Sequence, residues 1–202
     1  MSRVLPILFN MEMVRSILDG RKSCTRRIIK PQPQGYFEVS EEPLYIYDTD
    51  GKQGKITPPY QPGDILYVRE TFIQAAAHIF WYKADDKPWM SKDLLWKPSI
   101  HMPKEAARIW LKVTDVRVER LQDITGLSVQ KEGIELDPKE CASKFDFITE
   151  LFLLFQKLWD STIKKSDLDR YGWDTNPYVW VIEFERCEKP KEEKGNDSGD
   201  FK

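Results

Sequence analysis

The chain has only two histidines, His78 and His101, and three cysteines, Cys24, Cys141 and Cys187, set far apart. An odd, scattered set of thiols makes no disulfide framework, and without a C-x-x-C or H-E-x-x-H pattern there is no zinc signature. The cysteines read as free thiols of a reducing compartment, with no metal and no cofactor expected. Long apolar runs are missing too: none approaches the ~18 residues of a membrane span, and the N-terminus lacks the apolar core of a signal peptide. A soluble, cytoplasmic protein with no membrane partner is the expectation. An excess of charge is also absent. With a net charge of -2 the chain is not a basic protein that coats nucleic acid. Near-neutrality likewise points to no particular protein partner.

Aromatic residues, by contrast, are plentiful. Seven tryptophans stand in 202 residues, and 41% of the chain is hydrophobic, enough for one core without staples. A single domain over 1–187 is expected, with insertions at about 31–60 and 74–104. The charged stretch 188–202 lacks core residues and reads as a disordered tail. Trp173, Tyr178 and Trp180 alternate with apolar neighbours, as core residues do. Trp81, Trp89 and Trp96, in the insertion, suit core or lid packing or base stacking.

Hydrophobic periodicity supplies the elements. Strands are predicted at Val4–Phe9, where Pro6 restricts the strand to an edge, at 36–39 and 44–47 as hairpin arms, at Ile65–Val68, over 107–121 and at Pro177–Phe184. A turn is expected at Asp50-Gly51. The alternation over 107–121 slips near Thr114-Asp115, which predicts a bulge. Helices are predicted at Met11–Asp19, capped by Gly20, at Asp123–Gly133 with Glu132 at its end, and at Phe145–Ile163. The last should bury Ile148, Leu151, Phe152, Phe155, Leu158 and Trp159. Such a mixture fits α+β, a small β-barrel with short helices at its ends.

One short stretch clusters cations. Leu18-Asp-Gly-Arg-Lys-Ser-Cys-Thr-Arg-Arg-Ile-Ile29 sets Arg21, Lys22, Arg26 and Arg27 around a glycine and two hydroxyls. Read as a turn after a helix, it can be solvated charge, a phosphate site or a catalytic centre. A Thr25 hydroxyl becomes a nucleophile only when a base takes its proton. Lys22 can do so only as the neutral amine, which burial and the neighbouring cations favour. Arg27 or backbone N–H groups could then hold an oxyanion.

Reduced to Gly20-x-Lys22-x-x-Thr25-x-Arg27, the stretch resembles the signature of the ASCH family, a branch of the PUA-like β-barrels. Other segments carry the likeness in order: Pro62-Gly-Asp64, Val68-Arg-Glu-Thr-Phe72, Trp96-Lys-Pro-Ser-Ile-His-Met-Pro103, Val116-Arg-Val-Glu-Arg-Leu-Gln-Asp-Ile124, Lys131-Glu-Gly133 and Trp173-Asp-x-Asn-Pro-x-Val-Trp-Val-Ile-Glu-Phe184. The phage and bacterial members look most similar. The resemblance implies a PUA-like barrel with a cleft beside the signature, used for RNA or nucleotide binding. Some members are identified instead as ribonucleases, and a small bacterial type as a 4-N-acetylcytidine amidohydrolase. A non-enzymatic protein carried by a prophage is a further alternative. Carried over, the amidohydrolase roles fall on Thr25 as nucleophile, Lys22 as base and Glu132 as acid-base partner. Arg21, Arg26, Arg27, Glu70 and His101 are the expected ligand contacts, with Glu70 either on ligand or paired with the basic turn. Two arginines after Thr25, where the small amidohydrolase type has an apolar residue and then Arg, favour RNA or a phosphorylated nucleotide over a bare modified nucleoside.

Overall fold

The computed structural model describes residues 2–33, 37–41, 44–48, 54–85, 87, 94–137, 139 and 143–191. Asp50-Gly51, Trp89, Cys141 and the tail beyond 191 lie outside them. The main sheet has five strands in the order β1 (Val4–Leu8), β6 (Ile65–Arg69), β9 (Trp110–Arg120), β10 (Tyr178–Cys187) and β2 (Cys24–Ile28). β1 runs parallel to β6; the other pairs are antiparallel. A second sheet of β3 (Phe37–Glu41), β4 (Leu44–Asp48) and β5 (Gly54–Ile56) and a hairpin of β7 (Phe72–Ala76) and β8 (Ile79–Tyr82) complete the strands among the described residues. The helices are α1 (Met11–Leu18), α2 (Gly126–Lys131), α3 (Lys144–Thr162) and α4 (Leu168–Tyr171).

The α+β expectation therefore holds, but the described strands form open sheets and no closed barrel. The two edges of the main sheet nevertheless approach each other, because Arg27 on β2 donates to the Leu8 carbonyl of β1 at 2.9 Å. Pro6 sits on an edge strand, where its missing N–H costs no ladder bond. The predicted slip is also present. The β9–β10 register shifts between Glu183, opposite Asp115, and Phe184, opposite Val113, leaving Thr114 as the extra residue.

One expectation about the basic stretch needs correction. It is a turn only as far as Lys22; from Cys24 it is a strand, paired over its whole length with β10. Polar side chains hid this from the hydrophobic pattern, because β2 faces an ionic cluster. Two apolar clusters flank the main sheet. One gathers Ile7, Phe9, Val14, Ile17, Leu66, Leu111, Trp180 and Ile182. The other, with Cys24, Leu121, Val129, Val179 and Val181, is covered by Leu151, Phe155 and Trp159 of α3. Ile148, expected in that face, is 38% exposed, and Phe152 and Leu158 are half-buried. Trp180 is a core residue as expected, and Trp173 meets Phe155 edge-on at 5.9 Å.

Candidate functional site

Two helix ends build the site. α1 starts at Asn10, whose side chain accepts from the Met13 N–H at 2.9 Å, and stops at Gly20, where φ is +76°. The N–H groups of Arg21 and Lys22 both donate to the Ser16 carbonyl, turning the chain toward α2. α2 in turn is capped by Thr125 and ends at Glu132, whose N–H donates to the Ser128 carbonyl. Gly133 follows at φ +92°, and a Cβ there would stand 2.7 Å from the Ser16 Cβ and 3.0 Å from the Lys22 Cβ. Only glycine permits both that backbone conformation and that approach. Lys22 and Glu132, separated by 110 positions, consequently meet as an antiparallel bridge.

Lys22 is buried and donates three hydrogen bonds: to Glu132 Oε2 at 2.6 Å, to the Cys24 carbonyl at 2.7 Å and to the Glu132 carbonyl at 2.9 Å. Three acceptors match the three protons of an ammonium. Glu132 Oε1 accepts from Arg26 at 3.1 Å, and Arg26 reaches on to Glu119, also at 3.1 Å. Glu119 continues to Arg117, which binds Asp115 and Glu183, and Glu183 accepts from Lys131. An unbroken ionic chain thus runs from the interior at Lys22 to the surface at Lys131.

Arg27 differs from its neighbours. Arg21 pairs with Asp19 and Glu135, Lys22 with Glu132, and Arg26 with Glu132 and Glu119. Arg27 has no carboxylate partner among the described residues. Its guanidinium lies 5.4 Å from the Phe9 ring centre, with the Lys22 ammonium 5.6 Å from the same ring. Burial lowers the pKa of Arg27, against the pull of Tyr60 and Glu132. Cys24 beside the cluster is no nucleophile: burial, and then Glu132, push its thiol up to about 12.

Two cavities adjoin Glu132. The inner one, about 30 Å³, is lined by Thr25, Arg26, Arg27, Met13 and Glu132, and is roofed by Phe155, Leu158, Trp159 and Thr162 of α3. The outer one is about 330 Å³ and shares Met13, Glu132 and Leu158 with it. Its other walls include Ser16, Arg21, Gly133, Glu135 and Leu154. A volume of ~300 Å³ is the lower end of what small-molecule sites offer.

The structure therefore brings Lys22, Thr25, Arg26, Arg27 and Glu132 together, with Arg21 on the rim of the outer cavity. Thr25 is buried, and its hydroxyl is hydrogen-bonded to neither Lys22 nor Glu132. Glu70 pairs not with the basic turn but with Arg108, which holds both of its carboxylate oxygens at 2.8 and 3.0 Å. His101 is exposed on a 3-10 turn, and neither cavity has it in its wall. Sequence reasoning missed Glu119 and Phe9. Glu119 could have been found from strand alternation, since it shares a face of β9 with Arg117; Phe9 carried no signal beyond hydrophobicity. Among the described residues no group of His, Cys, Asp and Glu stands where it could hold a metal, and no helix is long and apolar enough to cross a membrane. No family model, no curated protein and no solved structure matches the chain.

Proposed function

We propose that this is an ASCH-type, PUA-like protein of the cytoplasm that binds RNA or a nucleotide at the cleft between α1, β2 and α3. The observation that carries the reading is Arg27, a half-buried guanidinium in a cavity wall with no carboxylate to neutralise it among the described residues. A desolvated cation without a counter-charge favours an incoming anion, and the planar guanidinium suits phosphate oxygens. The fixed ions around it hold the pocket's shape, and the outer cavity has room for a nucleoside. The test is the binding of short single-stranded RNA across a salt series. Affinity should fall with salt, and Arg27→Ala should both weaken binding and flatten the slope by about 0.7 for each phosphate it no longer neutralises. Salt-independent binding, or none, refutes it.

A second reading, hydrolysis of 4-N-acetylcytidine or a related amide, is favoured by one observation: the 2.6 Å Lys22–Glu132 contact adjoins the cavity that contains Thr25. In this reading Lys22 passes a proton to Glu132 and, as the neutral amine, takes the proton of Thr25. The Thr25 oxygen bonds to the amide carbon. Glu132 then gives its proton to the leaving nitrogen as the C–N bond breaks, and water hydrolyses the acyl ester. Purified protein should release cytidine, and Thr25→Val should abolish release while the melting temperature holds. No turnover of nucleoside or RNA-borne substrate would sink this reading.

A further inference from the structure

We propose that the inner cavity is a site for a terminal phosphate, so that the ligand is a mononucleotide or a phosphorylated nucleic-acid end rather than an internal phosphodiester. The inference deepens the binding reading above and rests on it for the nucleoside part of the ligand.

Arg26 carries the argument. It is 5% exposed, its two terminal nitrogens are held by Glu132 and Glu119, and its Nε–H has no hydrogen-bond partner among the described residues. A buried, unanswered donor is uncommon and calls for an acceptor. Arg26 belongs to the wall of the inner cavity, whose volume of about 30 Å³ holds one compact group. The other polar wall groups are the Thr25 hydroxyl and the Arg27 guanidinium, both able to donate, the Thr162 hydroxyl, which already donates to the Trp159 carbonyl, and Glu132. Glu132 does not repel an anion strongly, because Lys22 and Arg26 each hold one of its oxygens. Counting Lys22, Arg26 and Arg27 against Glu132 and Glu119, the cluster is one positive charge in excess. A compact oxyanion supplies both the missing acceptor and the missing charge.

The roof selects a terminus. Phe155, Leu158, Trp159 and Thr162 come from one continuous helix, and Phe155 and Trp159 are buried against the core. An internal phosphodiester carries a sugar on both sides, and one of them would have to displace these side chains. A terminal phosphate leaves on one side only. The outer cavity, which shares Met13, Glu132 and Leu158 with the inner one, is where its sugar and base would lie.

Four ligands test this on the full chain: one RNA oligonucleotide with a 5′-phosphate, the same with a 3′-phosphate, the same with neither, and inorganic phosphate as competitor. Direct binding is read by anisotropy and the Arg26 Nε–H signal by NMR. At least a tenfold preference for one phosphorylated end, with a shift of the Arg26 Nε–H resonance, is expected. Arg26→Lys, which keeps the charge and removes Nε–H, should erase the preference, as should Thr25→Val in part. Equal affinity for all three oligonucleotides overturns end recognition while leaving the RNA-binding reading intact. Inorganic phosphate shifting the Nε–H resonance while none of the oligonucleotides binds supports the oxyanion site and refutes a nucleic-acid end as its ligand. An unmoved resonance with every ligand overturns the site.

Discussion

Glu132→Gln is the most informative single change, because it removes one charge and almost no volume from the centre of the network. Lys22 would keep two carbonyl acceptors, from Cys24 and residue 132, but lose its carboxylate at 2.6 Å. Arg26 would keep Glu119 and lose its other partner at 3.1 Å. Removing one member of a buried ion pair costs about 3–5 kcal/mol, since the remaining charge stays desolvated. The retained carbonyls and Glu119 place the expected loss near the lower end, at about 3 kcal/mol. With a urea slope of about 2 kcal/mol per molar, the unfolding midpoint should fall by ~1.5 M at an unchanged slope. Lys22→Met alone should cost a similar amount by leaving Glu132 Oε2 and the Cys24 and Glu132 carbonyls without their donor, while Arg26 keeps Glu132 Oε1. The double variant should be less damaged than the sum of the singles, with a coupling of about 1–3 kcal/mol. A loss below ~1 kcal/mol for Glu132→Gln, or strict additivity, would refute the view that these charges are dry and mutually dependent. The same cycle guards every activity measurement, because a dead Glu132 or Lys22 variant means little unless its stability is known.

Gly133→Ala combines a positive φ, costing about 1–2 kcal/mol, with a Cβ that meets Ser16 at 2.7 Å, an overpacking worth another ~1–3 kcal/mol. A fall in melting temperature with loss of ligand binding is expected, and wild-type stability would refute the close approach. Asp64 gives a pH prediction. Burial raises its pKa, but the Arg3 side chain, the Gln61 N–H and the Arg3 charge outweigh burial and hold it below the ordinary 3.8. The folded state then binds this proton less readily than the unfolded state. The contribution is present above the unfolded value and disappears as pH falls below 3.8 through the lower folded value. Arg3→Ala should shift the acid-unfolding midpoint upward, as followed by tryptophan fluorescence; an unmoved midpoint refutes the assignment.

How much of this could be read in the sequence depended on whether a segment announces itself by hydrophobic period. α3 and β9 did, because each turns one apolar face to the core, and even the Thr114 bulge showed as a break in alternation. β2 did not. Its residues Thr25, Arg26 and Arg27 are polar, so the strand looked like a turn; what makes it a strand is pairing with β10, a partner about 150 positions away. The meeting of Lys22 and Glu132 was beyond any local rule, yet the two caps that produce it were legible. Gly20 and Gly133 were both expected at helix ends, and each has a positive φ. Glu70 failed for a different reason. Its neighbour in sequence, Arg69, donates to the Ile100 and Met102 carbonyls, and the true partner, Arg108, follows 38 positions later in the chain, after the β7–β8 hairpin.

Burial also changes what the basic stretch can do. Read as a surface turn, its four cations would act together on a distant polyanion. Three of the four are instead committed to carboxylates, so their fields largely cancel beyond a few ångströms. What remains outward is Arg27, together with Lys30, which lies 4.6 Å from the Tyr171 ring centre. Weak long-range attraction and a strong short-range demand for one acceptor favour recognition of a single group over binding along a strand. The binding isotherm should accordingly show the salt slope of one or two phosphate contacts, a slope of about −0.7 to −1.4. A slope of roughly −3 or steeper would mean that other basic residues carry the interaction and that the buried network only supports the fold.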